Sequence, residues 1–293
     1  MRKMFALLKL FRPDQWVKNL FLFIPIFFAG ELDDITKLKT LGISFIAFSF
    51  IASAIYIIND FKDIDKDREH PEKRRRPLAS GAVSKPLGLV FFVILLVAGV
   101  IFSYFTQSTP FYVIIACYLF LNVGYTFGLK KVSIVDILIV ASGFVLRTIA
   151  GGVVVDVDIS HWLIIMIFLL ALFLVIAKRR DDLLVFKESG NIMRKSIEQY
   201  NLEYINSLLI MISGIMIVAY VMYVISPEVE ARFNSSYLYF TSVFVVAGVM
   251  RYLQITFVDN KSGSPTKILY TDNFIRVVVL GWILSFYIII YQL

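Results

Sequence analysis

Apolar residues come along this chain in long runs, and the polar ones gather between the runs. A bilayer core about 30 Å thick needs roughly 20 apolar residues per helix, and shorter stretches are tolerated. On that rule spans are expected near 17–30, 40–58, 86–106, 110–129, 133–155, 161–178, 205–225, 236–257 and 274–291, the first and sixth being short. The pattern therefore predicts an all-α integral membrane protein of nine transmembrane helices. Neither a long linker nor a tandem repeat interrupts it, so one domain over 1–293 is expected. Two long polar loops, 59–85 and 178–204, stand out against otherwise short connections.

Charge fixes the expected orientation. Of 29 Lys and Arg, 23 fall on the side of the N-terminus and both long loops. Lys37, Lys39 and Arg232 lie on the other side, and Arg147, Arg251 and Arg276 fall inside spans. The N-terminus is thus expected in the cytoplasm and, with nine spans, the C-terminus outside, in the plasma (inner) membrane. The basic stretch from Met1 to Phe11 lacks a small-residue cleavage site and reads as a retained lead-in. The same bias explains the net charge of +7, and with no base-reading motif nucleic-acid binding is excluded.

Composition narrows the chemistry. The chain is 59% hydrophobic with a mean hydropathy of +0.79, above the range of soluble domains. Cys117 is its one cysteine, which rules out an internal disulfide and a cysteine-built zinc site. His70 and His161 sit on different loops, so a histidine-built metal site is not expected either. Cys117 and the methionines read as packing, and Trp16 as an interfacial anchor.

The second span ends Asn59-Asp60-Phe61-Lys62-Asp63-Ile64-Asp65-Lys66-Asp67. If the helix continues, Asp60, Asp63 and Asp67 share one face at i, i+3 and i+7, with Asn59 beside Asp63. Three carboxylates on one face repel unless a cation joins them. Mg2+ suits that role, because it takes one or two carboxylates and completes its shell with water and phosphate oxygens. The competing reading is a solvated helix end. Next come Arg68, Lys73, Arg74 and Arg76, which serve topology by their summed charge and also suit a substrate with several phosphates. Arg147, about 14 residues into its span, leaves two readings open. It contacts substrate, or it plays a structural part, snorkelling toward Asp156 and Asp158 while nearby glycines allow close packing.

Asn59-Asp60-x-x-Asp63-x-x-x-Asp67 resembles the first aspartate-rich motif of the UbiA-type intramembrane prenyltransferase superfamily. Further stretches resemble one branch of it, the decaprenyl-phosphate phosphoribosyltransferases. These are Arg12-Pro13-x-Gln15-Trp16-x-Lys18-Asn19, Asp67 to Gly81, Tyr125-x-Phe127-Gly128-Leu129-Lys130 and Arg147-x-x-Ala150-Gly151-Gly152. Lys178-Arg179 with Asp182-Leu183 and Arg194-x-Ser196 leading to Tyr200 belong to the same set, with a weaker match at Arg251-Tyr252. The resemblance implies a bundle whose central cavity opens to the cytoplasm, with Asp60, Asp63 and Asp67 as catalytic metal ligands. It places Lys18, Asn19, Asn59, Arg68, Lys73, Arg74, Arg76, Tyr125, Lys130, Arg147, Lys178, Arg179 and Asp182 at the substrates.

Ordinary members of the superfamily carry a second aspartate-rich motif after the sixth span, where this chain has Lys178-Arg179-Arg180-Asp181-Asp182. A basic loop there suits a lipid monophosphate as acceptor, leaving the diphosphate to a soluble donor. The resemblance names that donor as 5-phosphoribosyl 1-diphosphate and the acceptor as a polyprenyl phosphate, with Lys18, Lys130, Lys178 and Arg179 on phosphates. The alternative is a prenyltransferase acting from a polyprenyl diphosphate onto an aromatic or other small acceptor. A transporter is disfavoured, because the carboxylates gather at one membrane face instead of the midplane. Homo-oligomerisation is left open by the sequence.

Overall fold

A computed structural model of the chain describes residues 2–69, 73–189, 195–260, 263 and 265–292. Regular structure among them is entirely helical: α1 (Arg2–Phe11), α2 (Ile24–Ala29), α3 (Ile35–Lys62), α4 (Ile64–Glu69), α5 (Lys85–Tyr104), α6 (Thr109–Phe127) and α7 (Val135–Val154). Then follow α8 (His161–Ser189), α9 (Leu202–Val224), α10 (Pro227–Phe233), α11 (Ser242–Phe257), α12 (Pro265–Thr271) and α13 (Asn273–Tyr291). Eight helical segments among the described residues are long and apolar enough to cross a membrane, the seventh of them running from Tyr237 to Phe257 through a 3-10 turn into α11. They coincide with the second to ninth expected spans, and the chain is a multi-pass membrane protein.

The first expected span, 17–30, takes another form. An 11-residue 3-10 stretch, Pro13–Phe23, runs into the six-residue α2. The sequence explains the break. Arg12 ends α1 in the left-handed region at φ 52°, Pro13 and Pro25 lack an amide hydrogen, and Asp14, Lys18 and Asn19 interrupt the apolar run.

The long helices begin where side chains can satisfy free amides. Asp34 accepts from the Thr36 and Lys37 amides at 2.9 and 3.0 Å, Asn201 from Tyr204 at 2.7 Å, and Asp272 from Ile275 at 2.9 Å. By its contacts the chain divides into two compact units. Unit 1 holds residues 1–130 and 143–159, and unit 2 holds 131–142 and 160–293, so α7 contributes its two halves to different units.

In unit 1, α3 is the central helix. It buries Phe48, Ile51 and Ile55 against Leu22, Ile26, Phe111, Tyr118 and Ala150. Ser44, Ser49 and Ser53 are buried along the same helix, and small residues of this kind let backbones approach. A second cluster, including Leu10, Ile57, Ile64 and Leu78, closes the end of α3 that carries Asp60. Unit 2 is held partly by polar contacts: Trp282 donates to the Tyr220 hydroxyl at 2.7 Å, which pairs with Thr241 at 2.7 Å.

Among the glycines of unit 1 whose surroundings are described, the tightest backbone approach is at Gly151 of α7, where a Cβ would stand 1.9 Å from the Leu22 carbonyl oxygen. Gly42 of α3 has open space around it. Gly151→Ala should therefore destabilise the purified protein by about 1–3 kcal/mol or more, through overpacking against backbone. Gly42→Ala should be neutral or stabilising by up to about 1 kcal/mol, from helix propensity. Thermal melts of both variants in detergent check the contrast.

Candidate functional site

The acid face of unit 1 forms at the junction of α3 and α4. Asp63 interrupts the helix as the cap of α3, yet its amide still donates to the Asn59 carbonyl at 3.0 Å and its carbonyl accepts from Asp67 at 2.8 Å. The i to i+4 bonding therefore carries through, and seven residues return Asp67 to within about 20° of Asp60. One nitrogen of Arg76 reaches both, at 3.1 Å from Asp60 Oδ1 and 2.7 Å from Asp67 Oδ2. Arg12 adds bonds of 2.5 and 2.7 Å to the two oxygens of Asp60. Asp60 is 2% exposed and Asp67 4% exposed, so these pairs are held mostly away from water.

Asp63 stands about 60° round the helix from Asp60. It pairs instead with Lys130, at 2.5 Å, and the same ammonium donates to Asn59 Oδ1 at 3.1 Å. The face expected to carry three carboxylates is thus two sub-clusters, Asp60–Asp67–Arg76–Arg12 and Asp63–Asn59–Lys130. Sequence reasoning did not place Arg12 among the site residues. The signal was its position opening the Arg12-Pro13 motif, masked by its membership of the topogenic basic set.

Of the other basic candidates in this region, Arg68 turns away, donating to the Ala79 carbonyl at 3.1 Å and lying 3.5 Å from exposed Asp65. Arg74 is exposed, while Lys73 and Tyr125 are half-buried. His70 and Arg194 fall outside the described residues.

Deeper in unit 1 a third group forms around Arg147, which is 4% exposed. Its Nε donates to Asn19 Oδ1, one terminal nitrogen to the Gly143 carbonyl and the other to the Tyr118 hydroxyl, each at 2.7 Å. Asn19 in turn donates to Ser49 at 2.9 Å, and the rings of Phe48 and Tyr118 lie 5.2 and 4.8 Å from the guanidinium. The side chain does not snorkel to Asp156 or Asp158, since neutral acceptors inside the bundle take its hydrogens. Trp16 is likewise more than an interfacial anchor. It is half-buried and donates to Ser53 at 3.0 Å.

Unit 2 contains a buried ion cluster whose centre the sequence did not reveal. Arg179, 2% exposed, donates to Asp136 Oδ2 at 2.8 Å and to Asp182 Oδ2 at 3.0 Å. Asp136 is fully buried and also accepts from Ser196 at 3.2 Å and from Tyr200 at 3.1 Å. Burial pushes the Tyr200 phenol up to about 12, so it stays a donor at any physiological pH. Arg179 is thereby committed to its own carboxylates, whereas Lys178 on the same helix is exposed. A lone acid in the first turn of an apolar helix looks like a cap, and Asp136 gave no other signal.

A family model, the UbiA prenyltransferase family, matches residues 20–278. The chain belongs to that family. It is 32% identical to a decaprenyl-phosphate phosphoribosyltransferase of Mycolicibacterium smegmatis, over 95% of this chain and 90% of that protein. To the protein of the same name from Corynebacterium glutamicum it is 31% identical, over 98% of this chain and 87% of the other. Among solved structures, a UbiA homologue from Archaeoglobus fulgidus bound to DMAPP and Mg2+ superposes with a TM-score of 0.70 at 19% identity, covering 98% of this chain and 99% of that one.

Divalent metal use is thus seen in a UbiA-family structure, and the acid face offers a test of fit. Asp60 and Asp67 present only carboxylate oxygens, the donors magnesium prefers, and a single cationic nitrogen already reaches both. Two such carboxylates with water and phosphate oxygens complete a magnesium shell. The residues present fit the ion with Asp60 and Asp67 as its ligands. Among the described residues no group of three or more His, Cys, Asp or Glu is placed to hold a metal, which agrees with Asp63 standing apart on Lys130.

The two ion clusters predict different stability effects. Asp136→Asn removes the more deeply buried of the two carboxylate charges facing Arg179 and should destabilise this UbiA-family protein by up to about 3–5 kcal/mol. Asp65→Asn, at a carboxylate 90% exposed, should fall within about 0.5 kcal/mol of the parent. Melting temperatures of the two variants, compared in the same detergent, test this.

Proposed function

We propose that the protein transfers 5-phosphoribose from 5-phosphoribosyl 1-diphosphate to a polyprenyl phosphate and releases pyrophosphate. The observation that carries this reading is the near-full-length likeness to two decaprenyl-phosphate phosphoribosyltransferases. Supporting it, the start of the loop after the sixth expected span is basic at Lys178, Arg179 and Arg180, where a second diphosphate-metal site would need acids. We read residues 1–293 as one catalytic domain built from both units.

In this reading Asp60 and Asp67 hold Mg2+, which when bound neutralises charge on the leaving pyrophosphate as a Lewis acid. Arg12 and Arg76 exchange their carboxylate partners for diphosphate oxygens, and Lys130, held on that face by Asp63 and Asn59, turns a remaining N–H to them. The anionic oxygen of the lipid phosphate attacks carbon 1 of the ribose as the bond from carbon 1 to the pyrophosphate oxygen breaks. The nucleophile is already charged, so no general base is required. The work of the side chains is positioning and electrostatic stabilisation.

Topology supports a donor arriving from the cytoplasm. An 11-residue 3-10 stretch at about 2.0 Å per residue and six α residues at about 1.5 Å together reach about 31 Å. That matches a bilayer core. Pro13 to Ala29 then forms a ninth crossing, the N-terminus is cytoplasmic and the C-terminus external, in the plasma (inner) membrane.

Purified protein incubated with magnesium, polyprenyl phosphate and labelled 5-phosphoribosyl 1-diphosphate should move label into the lipid. Asp60→Asn and Asp67→Asn should each lower that rate about 100-fold or more. Turnover of a prenyl diphosphate onto a small aromatic acceptor, with no label in lipid, would instead establish the prenyltransferase alternative.

A further inference from the structure

One face of α3 holds Arg12 at three points. Ser53, Tyr56 and Asp60 stand at i, i+3 and i+7 along that helix and so share a face. The hydroxyl of Ser53, a fully buried residue, donates to the Phe11 carbonyl at 2.7 Å and accepts from the Trp16 indole at 3.0 Å. The chain just before Arg12 and the indole four residues after it are therefore hung on one oxygen. One turn further along α3, the ring centroid of half-buried Tyr56 lies 5.0 Å from the central carbon of the guanidinium, within cation–π range. Asp60 completes the cradle with its two bonds to Arg12.

The backbone shows that this placement is forced. Arg12 sits in the left-handed region at φ 52° and ψ 57°, where glycine or asparagine is the usual occupant. A residue in that region persists only where its surroundings over-determine it. Asp60 alone does not meet that need in the working protein, because the metal reading gives its oxygens to Mg2+. A guanidinium that loses its carboxylate and has no other holder swings out to water on a long, flexible side chain. Ser53 and Tyr56 offer neither a carboxylate nor a charge to the metal. Their grip on Arg12 and its flanks therefore survives when Asp60 lets go.

We propose that Ser53 and Tyr56 are positioning residues that keep Arg12 at the diphosphate end of the site after Asp60 has passed to the metal. The inference rests on the metal and diphosphate reading above. Ser53 sets where the backbone of Arg12 stands, and the face of Tyr56 sets where its guanidinium lies. The cation then meets the pyrophosphate already ordered, so binding does not have to immobilise it. The Tyr56 hydroxyl has no part in this. The ring face alone carries the contact with Arg12.

Calorimetric titration of the full-length protein in nanodiscs with inorganic pyrophosphate and magnesium tests this through a double-mutant cycle. Tyr56→Leu should weaken pyrophosphate binding about 3- to 30-fold. Tyr56→Phe keeps the ring and should stay within about twofold of the parent. With Arg12→Gln already in place, Tyr56→Leu should cause no further loss. Ser53→Ala supplies a second arm, whose effect should vanish in the same Arg12→Gln background, and melting curves verify that each variant folds. A loss in Tyr56→Phe as large as in Tyr56→Leu overturns the inference. So does an effect of Tyr56→Leu or Ser53→Ala that is undiminished without the Arg12 guanidinium. Equal pyrophosphate binding by the parent protein with and without magnesium overturns the metal reading instead, a result that no arm of the cycle can mimic.

Discussion

A carboxylate 2% exposed at the end of an apolar helix has to be neutralised where it stands, and in unit 1 that carboxylate is Asp60. It draws in Arg12 from the segment before the first apolar run and Arg76 from the loop after α4. Arg76 then reaches Asp67. Three stretches of chain are tied at one point, and most of what unit 1 offers as chemistry is a consequence of that tie. The left-handed conformation of Arg12 belongs to it too, since the turn that ends α1 also brings the guanidinium onto Asp60.

Unit 2 answers the same electrostatic demand differently. Arg179 and Asp136 neutralise each other inside the protein, and Ser196 and Tyr200 donate two further hydrogen bonds to Asp136. Such a cluster holds the segment around 195–200 to the start of α7 and leaves little charge over for a ligand. Of two neighbouring residues that the sequence presents as one basic patch, Arg179 is buried and Lys178 exposed.

What could be seen in the sequence follows from how local each feature is. The spans from 40 to 291 were legible because a long apolar run has few alternatives in a bilayer. The pairing of Asp60 with Asp67 was legible because seven residues return to nearly the same helix face, while the 60° offset of Asp63 was enough to send it to Lys130. Asp136 was not legible. Its partners lie 43, 60 and 64 residues away, and no local spacing announces them. The 3-10 form of residues 13–23 was hidden as well, because its prolines and polar residues mark a break without saying what replaces the helix.

That 3-10 stretch has a geometric partner in α3. Trp16 bonds Ser53 and Asn19 bonds Ser49, so three residues on one strand of chain match four on the other, running in opposite directions. Three 3-10 residues rise about 6 Å, and four α-helical residues rise about 6 Å. The two helices are commensurate, like a pair of gear racks cut to one tooth spacing. An α-helix at 13–23 would lose step with the serines of α3 after a single tooth. The unusual local geometry is what lets two successive polar pairs, Trp16–Ser53 and Asn19–Ser49, meet along an otherwise apolar helix.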